Sequence, residues 1–253
     1  MAAPIYDSVV LFGDSQTEFG LRPGGLSNRF SRYYARVFDV MNRGFSGYTT
    51  EQARVLAPRI FQDDSSASSG AGAAPAKTTT HGRVRLVTVW FGTNDAARPG
   101  HRQHVSRTTS EETVTSNADS ALPLLCPLLA LGQVPLDRFK SNLHSILETV
   151  AANAPVAKVV LLTPATLNPG TAMLGDSRSL ELTRAYVEAT IEVVNERRSR
   201  SVVALNLFAL FEELEQNQIA SQQALLAEDG WDAICSGLCR RLGISLTGFA
   251  HLS

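Results

Sequence analysis

The chain has 253 residues, 44% of them hydrophobic, and its 23 basic and 24 acidic side chains leave a net charge of −1. That length and apolar content suit one α/β domain with a substantial core, while the balanced charge excludes an electrostatic footprint for nucleic acid or an anionic membrane surface. A small molecule is the expected partner, and no apolar run approaches the roughly 18 residues of a membrane-spanning helix.

Three cysteines, Cys126, Cys235 and Cys239, are too few and too unevenly placed for a disulfide framework. They read as free thiols of a reducing compartment, and Cys-x3-Cys without nearby histidines is a weak metal signal. The N-terminus lacks a basic leader region, and removing its first apolar run would remove the first strand, so a cytoplasmic location is expected.

In chain order, short apolar runs predict strands over 9–12, 40–42, 85–91, 157–163 and 201–205. Helical spacing between them predicts helices over 28–38, 50–61, 136–152 and 177–198. Ser177 and Glu181 suit the start of the last helix, and Arg197 and Arg198 suit its end. This alternation implies a parallel sheet with crossover helices, in which ligands bind at the carboxyl ends of the strands.

The first strand ends in Gly13-Asp14-Ser15, the second runs into "NRGFSGYTT" with Gly44 and Gly47, and the third ends in "FGTND" with Asn94 and Asp95. Glycines allow tight turns and close backbone approach, and a buried asparagine amide can donate to a developing negative charge. Each signal is weak alone. Together, at successive strand ends, they describe a nucleophile and an oxyanion hole. Asp14, preceding the serine on the same turn, reads as a turn-stabilising residue.

Two segments break the rhythm. Residues 63–82 are low in complexity and read as a surface loop. Residues 106–133 pass from a polar half into an apolar half without helix or strand period. Omitting residues 105–133 joins "RPGHRQH" to "VPLDRFKSNL", so this insertion reads as a retained intron in a eukaryotic gene.

The motifs "FGDSQTEFG", "NRGFSGYTT" and "FGTNDAA", with "LLTP" at 161–164, resemble those of the SGNH, or GDSL-type, hydrolases, and most of all the isoamyl acetate-hydrolysing esterase subgroup. The resemblance runs to about Phe211. It implies a single domain over 1–253 with a three-layer α/β/α, flavodoxin-like fold and a parallel five-stranded sheet. It also implies hydrolysis of small carboxylic esters through an acyl-serine, with no cofactor and no metal. Ser15 would be the nucleophile, with the backbone amides of Ser15 and Gly47 and the Asn94 side chain forming the oxyanion hole.

A serine nucleophile needs a base. The family places it in an Asp-x-x-His motif near the C-terminus, where histidine takes the proton and aspartate orients the ring. The tail here, divergent over about 229–253, contains no Asp-x-x-His. His81 lies in the low-complexity loop, His144 sits inside a helix where a packing or surface role is expected, and His101 and His104 have no aspartate placed to orient them. His251 is the candidate base nearest the expected chain position. Two readings follow: an esterase whose base is His251, or an impaired homologue, mis-spliced or able only to bind an ester or acyl ligand.

Overall fold

The computed structural model describes residues 6–61, 82–98, 133–165 and 177–216. Five parallel strands form one sheet: β1 Asp7–Gly13, β2 Phe38–Gly44, β3 Val84–Trp90, β4 Lys158–Leu162 and β5 Val202–Leu205. The helices are α1 Ser15–Glu18, α2 Leu26–Tyr33, α3 Thr50–Phe61, α4 Leu136–Asn153, α5 Leu180–Arg197 and α6 Leu207–Gln216, with a 3-10 turn at Phe19–Leu21.

The strand order β2-β1-β3-β4-β5 is the flavodoxin-like order, and all neighbouring pairs are parallel. Parallel strands covered on both faces read as continuous apolar runs, and β1 does so because its alternate residues enter different cores. Val10 and Phe12 pack with residues of α3, α4 and α5, including Ala53, Phe139, Ile146 and Tyr186. Val9 and Leu11 pack with residues of α2 and α6, including Leu26, Phe30, Leu207 and Phe211. Two cores on opposite faces give the three-layer α/β/α sandwich expected from the sequence. Among the described residues, no helix is long and apolar enough to cross a membrane.

Three expectations are revised. The helix expected over 28–38 is α2, Leu26–Tyr33, and Phe38 opens β2. Phe30, Tyr34 and Phe38 follow one another at a spacing of four, which imitates a helical stripe. The chain instead leaves the helix after Tyr34, passes through Arg36 at φ 64°, and brings Phe38 back against the Tyr34 ring at 5.5 Å. The last long helix starts at Leu180, because Ser179 accepts from Leu182 N with its hydroxyl at 3.1 Å, and Ser177 lies outside it. Helix α6, absent from the sequence reading, covers one face with Leu207, Phe208 and Phe211. Apart from Gly82 and Gln133, the expected insertions over 63–82 and 105–133 lie outside the described residues, as does the tail over 229–253.

Candidate active site

The order of the sheet reverses at β1: the chain moves outward from β1 to β2, then returns to β3 on its other side. Crevices of open α/β sheets form at this switch point, outside the carboxyl ends of the strands. The three loops carrying Ser15, Gly47 and Asn94 all leave the sheet there.

The first loop is built by Gly13 and Asp14. A Cβ at Gly13 would collide with the Thr17 side chain and lie 2.6 Å from the Trp90 carbonyl oxygen, so only glycine lets β1 end this close to its neighbours. Asp14 N donates to Trp90 O at 3.1 Å, and Asp14 Oδ1 accepts from Gln16 N at 2.9 Å. That second bond caps α1, so helix begins at Ser15 and the half-buried serine sits on its first turn. Asp14 therefore has the turn-stabilising place expected of it. Gln16 Nε2 donates to Thr93 Oγ1 at 3.0 Å and ties this turn to the loop after β3.

The second loop is seated on the first. Phe45 N donates to Gly13 O at 2.9 Å, and Ser46 N donates to Glu18 Oε2 at 2.6 Å. Asn42 clamps the junction: its amide donates to Thr17 O and Ser27 Oγ, each at 2.6 Å, and its Oδ1 accepts from Gly44 N at 2.9 Å. Gly47 has φ 80°, in the left-handed region where a side chain is strained.

The third loop closes the group. Asn94, 8% exposed, donates from Nδ2 to Tyr48 O at 2.9 Å, which lays its amide along the Gly47 loop. A carboxamide has two N–H donors, so this bond fixes the plane with one of them, and among the described residues the second has no acceptor. Asp95 Oδ1 accepts from Thr50 N at 2.9 Å and Thr50 Oγ1 at 2.5 Å, capping α3 as that helix leaves the Gly47 loop. Asn142 on α4 donates to the same Thr50 hydroxyl at 3.1 Å.

Charge is buried under these loops. Burial pushes the Asp14 carboxyl up to about 7, opposed by the Gln16 amide and by Arg178 and reinforced by Asp95. Burial likewise raises Asp95 to about 6, opposed chiefly by the Thr50 hydrogen bonds. Arg178, 8% exposed, donates from Nε to Thr93 O at 2.6 Å and from Nη1 to Ser177 O at 3.1 Å. Sequence reasoning missed Arg178 and Asn42, because a single buried arginine or asparagine leaves no spacing pattern.

Of the predicted site residues, Ser15, Gly47 and Asn94 lie on loops that hydrogen-bond to one another, and His251 lies outside the described residues, as do His81, His101 and His104. His144 is on the outer part of α4, where its Nε2 meets Glu196 Oε2 of α5 at 2.9 Å, in keeping with a surface role.

The chain is 28% identical to the isoamyl acetate-hydrolyzing esterase 1 homolog of Bos taurus, over 63% of this chain and 48% of that protein. It is 26% identical to a GDSL esterase/lipase of Arabidopsis thaliana, over 81% of this chain and 72% of that one. The matched region thus spans about half the length of the mammalian relatives. Among solved structures, an acetyl-xylooligosaccharide esterase from Geobacillus shares the fold at a TM-score of 0.56 and 17% identity, covering 97% of this chain and 98% of that one. Residues 11–235 match the GDSL-like lipase/acylhydrolase family, and the chain belongs to that family.

Proposed function

We propose that this protein hydrolyses small carboxylic esters, acetates or other short-chain acyl esters, through an acyl-Ser15 intermediate in the cytoplasm and without a cofactor. Ser15 Oγ attacks the ester carbonyl carbon while His251 takes the hydroxyl proton. The carbonyl oxygen becomes an oxyanion and receives hydrogen bonds from the amides of Ser15 and Gly47 and the free N–H of Asn94. Collapse breaks the ester C–O bond, and the proton held by His251 leaves with the alcohol. Water, losing a proton to the same histidine, then attacks the acyl-serine and releases the acid.

The observation that carries this reading is the hydrogen bond from Asn94 Nδ2 to Tyr48 O, which sets the asparagine amide on the loop of Gly47 beside the turn of Ser15. Support for short esters comes from the relatives named for isoamyl acetate hydrolysis. A second reading, a homologue that binds an ester without turning it over, is favoured by one fact: the tail contains no Asp-x-x-His.

Hydrolysis of p-nitrophenyl acetate by the wild-type chain and by Ser15→Ala separates them. Under the first reading Ser15→Ala loses on the order of 10⁴-fold or more in turnover. Equal rates for the two proteins reject serine catalysis, and a rise in melting temperature with an ester that is not consumed supports the binding reading.

A further inference from the structure

The oxyanion loop rests on a buried cation that the family motifs do not include. Arg178 comes from the segment just before α5, far in sequence from the nucleophile, yet it donates to the carbonyl of Thr93, the residue immediately before Asn94. Its second bond holds Ser177 O, which also accepts from Arg98 N at 2.8 Å. Two fixed carbonyls therefore meet the two arms of one planar guanidinium.

The charges around it do not balance without it. Asp14 and Asp95 are 1% and 0% exposed. Each uses Oδ1 to cap a helix, and among the described residues neither Oδ2 has a hydrogen-bond partner. Asp95 adds to the cost of ionising Asp14 beyond burial, and Arg178 opposes it. In turn both aspartates favour the charged form of Arg178 against the burial that disfavours it. The other titratable neighbours do not replace it: burial, with a smaller contribution from Asp95, pushes the Tyr186 phenol of α5 up to about 12, and Glu51 of α3 is itself held by Arg138 and Arg54.

We propose that Arg178 is the positioning residue of the oxyanion hole: its fork fixes the Thr93 carbonyl, and so the direction of the Asn94 amide, while its charge offsets the Asp14–Asp95 pair beneath the nucleophile turn. The kinetic part rests on the ester-hydrolase reading; the charge part does not. Lysine supplies the charge but not the two-armed fork, and glutamine supplies neither in full.

The test uses the full chain with Arg178→Lys, Arg178→Gln, Asp14→Asn and the double variant Arg178→Gln/Asp14→Asn. Melting temperatures are read at about pH 5 and about pH 8, because protonation removes the uncompensated carboxylate charge at the acid end. Arg178→Gln is expected to lose more stability at the higher pH, Arg178→Lys to lose less there, and Asp14→Asn to gain more in the Arg178→Gln background than the single Asp14→Asn gains over wild type. On p-nitrophenyl acetate, Arg178→Lys should lower kcat by about tenfold or more with KM little changed, as expected of a misplaced group rather than a lost binding contact.

Equal losses at both pH values, with the same Asp14→Asn gain in both backgrounds, would overturn the counter-charge. Wild-type kcat in a folded Arg178→Lys would overturn the positioning of Asn94. If Arg178→Gln does not fold at the higher pH, Arg178→Lys still reports both. A wild-type chain with no Ser15-dependent turnover refutes the esterase reading and the positioning of catalysis together, while the melting temperatures still decide the counter-charge.

Discussion

Asp14 shows how one side chain can serve the fold and limit it. Its Oδ1 caps α1 and so creates the turn on which Ser15 sits, but the whole carboxyl is buried. Its ordinary value of 3.8 is pushed up to about 7 in the folded protein, chiefly by burial. A group whose folded value is raised stabilises most below its unfolded value and loses that contribution as pH rises through the folded one. Between about pH 4 and about pH 7, Asp14 therefore weakens the fold, by on the order of a few kcal/mol. Asparagine caps as well as aspartate and does not ionise. Asp14→Asn is thus expected to gain stability relative to wild type as pH rises over that interval, measured as the difference in melting temperature at each pH. A constant difference across the interval would mean that Asp14 does not titrate there.

At the scale of elements, the site depends on how closely β2 approaches α1. A Cβ on Gly44 would collide with the backbone of Glu18, and backbone cannot swing aside as a flexible side chain can. Gly44→Ala is expected to destabilise the protein by about 1–3 kcal/mol, the usual cost of overpacking, and to lower ester turnover by displacing the turn of Ser15. Urea denaturation and the p-nitrophenyl acetate assay read the two effects. The elements also show where sequence pattern succeeds and where it misleads. The helix expected over 50–61 from spacing matches α3, where Thr50 begins the helix under the Asp95 cap and buried Ala53 and Ala57 hold one face. Spacing alone extends α2 to residue 38 because Phe38 repeats the interval of Phe30 and Tyr34, and only the sheet, which claims Phe38 as the partner of Asp7, breaks the stripe. The sequence puts the start of α5 at Ser177, whereas the hydroxyl of Ser179, two residues on, bonds Leu182 N and starts the helix at Leu180.

For the molecule as a whole, the strand-end glycines, Ser15 and Asn94 were legible because each interrupts an apolar run, and the β2-β1-β3 order brings those interruptions together. Arg178 was not legible: its role comes from tertiary burial beside Thr93, which no local period encodes. The base is likewise a property of the entire chain. With His251 as base, His251→Ala should lower kcat on p-nitrophenyl acetate by on the order of 10³-fold or more, since catalysis without the base falls back on the oxyanion hole and binding. An unchanged rate in His251→Ala, with Ser15 still required, would assign the proton to another group.

The hydrogen bonds that join the three loops have a kinetic meaning as well. Gln16 and Thr93 are 77 positions apart, Asn94 and Tyr48 46, and Arg178 and Thr93 85. Contacts that close such long spans form only after the entropy of the intervening chain has been overcome. The loops that carry Ser15, Gly47 and Asn94 therefore come together only with the tertiary fold. With Ser15 as the proposed nucleophile, its reactivity would be a mark of completed folding, since partly folded chains would carry the serine without the loops that face it.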